Sequence, residues 1–300
     1  MSTMNEPVIQ VKALSRKFRE KLALDGVSLD VPRGCVYGLV GENGAGKTTL
    51  IKHLLGLLRA SSGTVSVFGL DPVEKPEEVL GRIGYLSEDR DLPGWMRVDE
   101  LIRYTRAFYP QWDPKHAEEL RQLFELDPRA KLRTLSRGQL AKAGLLSALA
   151  HRPELLLLDE PSSGLDPVVR RDILGAIIRT VADEGRTVLF SSHLLDEVER
   201  VADRVAMVHR GKIVLDAAMD DIKATHQQVV LRKSGGDAPS LPGALWSRRD
   251  GQDWTFVCEG AAEDLRASIN GDDVELVEMT TPSLEDIFVA RSIGQPAQGE

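Results

Sequence analysis

Polar and apolar residues alternate with period two over Val8-Ile9-Gln10-Val11 and again over Val27-Ser28-Leu29-Asp30-Val31, the pattern of half-buried strands. From Cys35 to Val40 the chain is almost continuously apolar and leads into glycine. From Lys47 to Leu58, apolar residues recur at Leu50, Ile51, Leu54, Leu55 and Leu58, which is helical spacing. Strand, glycine-rich loop and helix thus succeed one another, predicting half of a parallel βαβ unit. Buried-strand runs return at Leu155–Leu158, Thr187–Ser191 and Val205–Val208, with helical patterns at Val168–Glu184 and Leu194–Asp203 between them. That rhythm predicts a mostly parallel sheet covered on both faces, an α/β fold.

Between about Leu92 and Ala150 the rhythm changes. Asp99–Phe108, Pro114–Leu126 and Gln139–Ala150 all read as helices, with turn signals at Pro110, Asp113-Pro114 and Asp127-Pro128, so a helical subdomain is inserted here. After Asp216 the pattern shifts again. Gln227–Arg232 and Ala244–Val257 read as strands, the latter folded into a hairpin at Asp250-Gly251. A helix over Ala261–Ile269, a strand over Val274–Met279 and a short helix over Ser283–Ala290 follow, and Gly294–Glu300 reads as a frayed tail. The expected division is a first domain over 1–216, with its helical insert at about 92–150, and a small C-terminal α+β accessory or regulatory domain over 217–300.

Composition narrows the function. The 300 residues carry a formal net charge of -8, which argues against nucleic acid as a partner. With 42% hydrophobic and 28% charged residues, the chain has the balance of a globular protein with a sizeable core. Cys35 and Cys258 are too few and too distant for a disulfide scaffold, so a reducing compartment is expected. No run approaches the roughly 18 apolar residues of a spanning helix, and Met1–Gln10 lacks the look of a signal peptide.

The strongest chemical signal is Gly41-Glu42-Asn43-Gly44-Ala45-Gly46-Lys47-Thr48-Thr49, a phosphate-binding loop after a strand and before a helix. Glycines let the backbone curl so that N–H groups face phosphate oxygens. Lys47 can reach the β- and γ-phosphates, Thr48 can place its hydroxyl on Mg²⁺, and the helix start adds partial positive charge. Leu155-Leu156-Leu157-Leu158-Asp159-Glu160 ends a buried strand in two carboxylates, which are costly there unless something pairs with them. Beside a phosphate loop, Asp159 is expected to hold Mg²⁺ and Glu160 to orient and polarise an attacking water; a capped, solvated turn is the alternative. Leu135-Ser136-Arg137-Gly138-Gln139 precedes an apolar helix, and Ser136 with Gln139 also fits a simple capping box.

In order, these elements resemble the ATP-binding subunits of ABC transporters, over about residues 6–216. Leu135–Gln139 is similar to that family's signature sequence, Pro161-Ser162-Ser163-Gly164-Leu165-Asp166 to its D-loop, His193 to its switch histidine, and Phe18 to the aromatic that stacks on adenine. The stretch Thr280–Phe288 resembles the C-terminal extension of ABC-2 type exporter ATPases. The resemblance implies an ATPase working with Mg²⁺, sited peripherally on the cytoplasmic face of the cell membrane. It implies two partners, an integral membrane transporter subunit and a second ATP-binding subunit. ATP would be clamped between residues 41–49 of one copy and Ser136, Gly138 and Gln139 of the other, with His193 on the γ-phosphate. Two departures stand out. Glu88 occupies the place of the family's usual glutamine, where it could add a Mg²⁺ ligand, and Arg137 replaces a glycine of the signature. They keep open an alternative, a non-transport regulator or assembly module with weak ATPase activity. Trp95 is left open between a buried core position and an exposed docking one.

Overall fold

The computed structural model describes residues 6–182, 185–233, 238–269 and 274–293. The tail expected at Gly294–Glu300, and the last two residues of the helix expected over Val168–Glu184, lie outside them. Two compact units divide the chain, Met1–Ile213 and Val214–Glu300.

The first unit opens with β1 (Ile9–Phe18), β2 (Lys21–Val31), β3 (Val36–Val40), α1 (Lys47–Leu54), β4 (Ser62–Val67), α2 (Pro76–Leu80) and β5 (Ile83–Leu86). The inserted helices α3 (Val98–Arg106), α4 (Pro114–Leu123) and α5 (Arg137–Leu149) follow. Then come β6 (Leu155–Leu158), α6 (Pro167–Ala182), β7 (Thr187–Ser192), α7 (Leu195–Val201) and β8 (Arg204–His209), and β9 (Lys212–Ala218) runs across the boundary into the second unit. The main sheet has the order β5-β6-β7-β3-β8-β9, and β3 runs parallel to both β7 and β8. Every residue of β3, β6 and β7 is buried, which is why their sequences are unbroken runs rather than alternations.

The period-two strands go elsewhere. β2, β1 and β4 form a separate antiparallel sheet, with Ile9 opposite Val31 on one side and Val67 on the other. In β2, Val27, Leu29 and Val31 are buried while Ser28 and Asp30 face outward, so the alternation records one face on the core. The expected strand–loop–helix half of a βαβ unit is present as β3, residues 41–46 and α1. Its parallel partners do not come next, since β4 follows α1 and the parallel neighbours of β3 arrive more than a hundred residues later.

Helix α5 is buried almost all round, at Ala141, Ala143, Gly144, Leu145, Leu146, Ala148 and Leu149, so it shows no polar face to read from sequence. A Cβ at Gly144 would stand 2.6 Å from Leu86 Cδ1, so the Leu86 side chain of β5 fills the space a side chain at Gly144 would need. Trp95 is 70% exposed, and the buried tryptophan of this region is Trp112. His151 lies between the stacked Tyr109 ring, 3.7 Å away, and the Ile83 carbonyl, 3.1 Å from Nε2; burial pushes its pKa down to about 4.

The second unit comprises α8 (Met219–Thr225), β10 (His226–Lys233), β11 (Ala244–Asp250), β12 (Asp253–Glu259), α9 (Ala262–Ser268), β13 (Val274–Thr280) and α10 (Leu284–Ile293). Its sheet, β11-β12-β10-β13, is antiparallel throughout. The β11–β12 hairpin turns at Gly251, whose φ of 62 suits a tight two-residue loop. Val229, Leu231, Phe256, Cys258 and Leu265 form a core of its own.

Candidate active site

Residues 41–49 join β3 to α1, and two of their glycines are demanded by the fold itself. A Cβ on Gly41 would meet the Val208 carbonyl at 2.2 Å, and one on Gly46, at φ 116, would meet the Ala23 carbonyl at 2.6 Å. Gly46 caps α1 with no side-chain acceptor, leaving the first-turn N–H groups without a side-chain partner. Lys47 is only 5% exposed, and its Nζ donates to the Gly41 carbonyl at 2.6 Å and the Glu42 carbonyl at 3.2 Å. A cleft of about 430 Å³ opens over this loop. Of the expected site residues, Phe18, Asn43, Gly44, Gly46, Lys47, Thr48, Thr49, Glu88 and Glu160 line it, while Ala45 is buried beneath the loop. Phe18 stands at the tip of the β1–β2 hairpin, opposite Lys21, 42% exposed and with the Arg16 guanidinium 4.8 Å over its ring.

Asp159 and Glu160 close β6, 1% and 3% exposed. Asp159 Oδ1 accepts from Ser191 Oγ at 2.6 Å, and the same hydroxyl accepts from the Glu160 N–H at 2.9 Å. Glu160 sits at φ 49, a conformation rare outside glycine, which swings its side chain toward the loop. Its Oε1 lies 3.0 Å from Lys47 Nζ, and its Oε2 accepts from His193 Nδ1 at 2.7 Å and from the His193 backbone N–H at 3.3 Å. The Lys47 contact is an ion pair without hydrogen-bond alignment: among the described residues no donor is aimed at Oε1. Three distant segments thus converge on one buried carboxylate. Removing either charge of such a pair leaves the other uncompensated, at a cost of roughly 3–5 kcal/mol.

The signature segment is built differently. Ser136 caps α5, its Oγ accepting from the Gln139 N–H at 3.2 Å while Gln139 Oε1 accepts from the Ser136 N–H at 3.0 Å. Both are exposed, as is Arg137. Gly138 is buried, and a Cβ there would stand 2.8 Å from Val169 Cγ2, so it offers a ligand only its backbone. None of these four lines the cleft of Lys47.

The oxygen donors that could hold a Mg²⁺ are the Thr48 hydroxyl, the Asp159 carboxylate and the exposed Glu88. Among the described residues no three His, Cys, Asp or Glu side chains form a cluster able to hold a metal alone. Hard oxygen donors in small number suit Mg²⁺, which keeps waters and takes phosphate oxygens. The buried Asp159 carboxylate accepts from the Ser191 hydroxyl and has no cationic side chain paired with it among the described residues, so this set fits such an ion.

Several residues escaped sequence reasoning. Ser191, which ties Asp159 to Glu160, ends a buried strand, and consecutive hydroxyls on a strand this apolar were its one signal. The Ser162 hydroxyl donates to buried Glu197, which pairs with Arg170 at 2.9 Å; burial pushes the Glu197 carboxyl up. A larger groove of about 550 Å³ between α6 and α7 is walled by Val168, Leu174, Ile178 and Val201, but it has no phosphate-binding loop.

The ABC transporter family matches across residues 24–163. The uncharacterized ABC transporter ATP-binding protein YdbJ of Bacillus subtilis is 31% identical over 99% of both chains. The daunorubicin/doxorubicin resistance ATP-binding protein DrrA of Streptomyces peucetius is 36% identical over 80% of this chain and 74% of its own. Among solved structures, an ATP-binding subunit of an ABC transporter superposes with a TM-score of 0.66 at 29% identity, covering 72% of this chain and 92% of that one. With a relative 31% identical over 99% of both chains, and with Lys47, Thr48, Thr49, Glu88 and Glu160 lining one cleft, the chain belongs to the ABC transporter family of ATP-binding proteins.

Proposed function

We propose that this chain, an ABC-type ATPase, powers a separate membrane-spanning exporter subunit by closing on a second copy of itself around ATP. The observation that carries the reading is the convergence of Lys47, His193 and Glu160 within hydrogen-bond reach. Backbone N–H groups of residues 41–49 and the start of α1 would receive the phosphates. Lys47 would exchange the Gly41 and Glu42 carbonyls for phosphate oxygens, a stronger, charge-assisted set. That exchange draws the ammonium off Glu160, whose Oε1 is then able to accept from the attacking water. His193 donates through Nδ1 to Glu160, so a further hydrogen bond from Nε2 to the γ-phosphate needs a doubly protonated ring. Mg²⁺, held by Thr48 and Asp159, with Glu88 within the same cleft, would supply neutralising charge on the phosphates. Phe18 would face adenine.

Ser136, Gly138 and Gln139 would serve the partner copy's nucleotide, adding a second helix start to the γ-phosphate and losing it on cleavage. Among the described residues no helix is long and apolar enough to cross a membrane, which supports a division of labour with a membrane subunit. The similarity to a drug-resistance ATP-binding protein supports export, and residues 217–300 would be the accessory domain. ATP hydrolysis by the full chain, measured as phosphate release, tests the site: Glu160→Gln is expected to cut the rate roughly a hundredfold or more. Equal rates in the two proteins would remove Glu160 from the chemistry.

A further inference from the structure

The loop leaving β5 toward the helical insert carries Glu88 on the cleft and, two residues on, Arg90. Arg90 is half-buried, with φ at 50, and its Nη2 donates to two backbone carbonyls, Pro161 at 3.1 Å and Ser163 at 2.8 Å. Those carbonyls flank Ser162 in the turn directly after Glu160, a turn closed by the Ser163 N–H on the Glu160 carbonyl at 3.1 Å. On its other side the turn is held by the Ser162 hydroxyl on Glu197, itself paired with Arg170. Two carbonyls converging on one nitrogen make a small negative site that a cationic donor satisfies better than a neutral one. Burial and nearby Arg137 lower the Arg90 pKa, and Glu88 opposes them.

We propose that Arg90 is a positioning residue for hydrolysis: it fixes the 161–163 turn, and with it the backbone from which Glu160 projects, to the loop that carries Glu88. The link is mechanical. The same loop continues into α3, so a displacement of the helical insert is transmitted through one guanidinium to the turn behind Glu160. Neither carbonyl is a side chain, which is why no pairing of residue types announces the contact. The proposal rests on the reading that Glu160 directs the attacking water, and the experiment separates the two.

In the full-length protein, Arg90→Ala is expected to lower kcat for ATP hydrolysis roughly ten- to a hundredfold, the scale of a small misplacement of a catalytic group. KM for ATP should stay within about twofold, because phosphate and adenine contacts are untouched. Guanidinium at millimolar concentration, far below denaturing levels, should recover part of that rate in Arg90→Ala and none in Glu160→Gln. Should Arg90→Ala fold poorly, Arg90→Lys replaces it: an ammonium on a shorter stem should leave kcat between wild type and Glu160→Gln at unchanged KM. A wild-type kcat in the folded variant, a rise in KM matching the fall in kcat, or a loss that guanidinium leaves unaltered in Arg90→Ala overturns the proposal. Full activity in Glu160→Gln removes the site reading and this inference together, whereas an inactive Glu160→Gln beside a fully active Arg90→Ala removes the inference alone.

Discussion

The two segments proposed to read phosphate are finished to different degrees. Residues 41–49 are complete within one copy: Lys47 is buried, bonded to its own loop, and set against a carboxylate that arrives from β6 and a histidine that follows β7. Ser136, Arg137 and Gln139 are exposed, and among the described residues the side chains of Ser136 and Gln139 bond only to cap their own helix. In the proposed reading, the first binds nucleotide within one copy and the second serves the partner copy. The difference then teaches that affinity for nucleotide and response to it would reside in separate elements, so substitutions should pull them apart.

The largest expected effect is at the completed segment. Lys47→Ala removes the phosphate cation and leaves Glu160 buried without its ion pair, so ATP affinity measured by titration calorimetry should fall by about 3 kcal/mol, more than a hundredfold. Retention of tight binding would break the comparison at its stronger end. A middle effect belongs to the exposed segment. Ser136→Ala should cost the α5 cap about 1 kcal/mol of stability and leave ATP binding by a single copy unchanged, while weakening ATP-dependent self-association. If single-copy affinity falls as well, the two elements are not separate.

At neutral pH the smallest effect concerns how the insert that bears residues 136–139 is fastened to the sheet, and it grows only as the solution is acidified. His151 joins Tyr109 of the insert to the Ile83 carbonyl of β5. Its pKa is lowered from 6.5 to about 4, so the folded state favours the neutral ring. Stability from this group is therefore full above about pH 6.5 and is lost as pH falls toward 4, by at most about 3 kcal/mol. Denaturant unfolding at a series of pH values should show this loss, and the non-titrating His151→Gln should flatten it. Identical pH profiles for the two proteins would deny His151 that part.

Much of the site was legible because it is local in sequence. The loop at 41–49 and the Asp159-Glu160 strand end state their chemistry in consecutive residues, and the Asp250-Gly251 hairpin states its turn. What the sequence hides is pairing across long separations. The buried runs of β3 and β7 gave no register, and the alternation of β1 and β2 did not reveal that they leave the parallel sheet for an antiparallel one. Ser191, Arg90 and Glu197 matter through contacts to backbone or to distant side chains, and nothing in their neighbours' identities marks them. Trp95 shows the same limit on a surface: its motif fits core and exterior equally, and only the folded chain puts it outside.

Sedimentation of the hydrolysis-impaired Glu160→Gln protein, with and without saturating Mg-ATP, tests the central claim most directly. Monomers are expected without nucleotide, dimers with it, and a return toward monomers when Ser136→Ala is added. A protein that stays monomeric in saturating ATP, or that dimerises equally without it, does not clamp ATP between two copies.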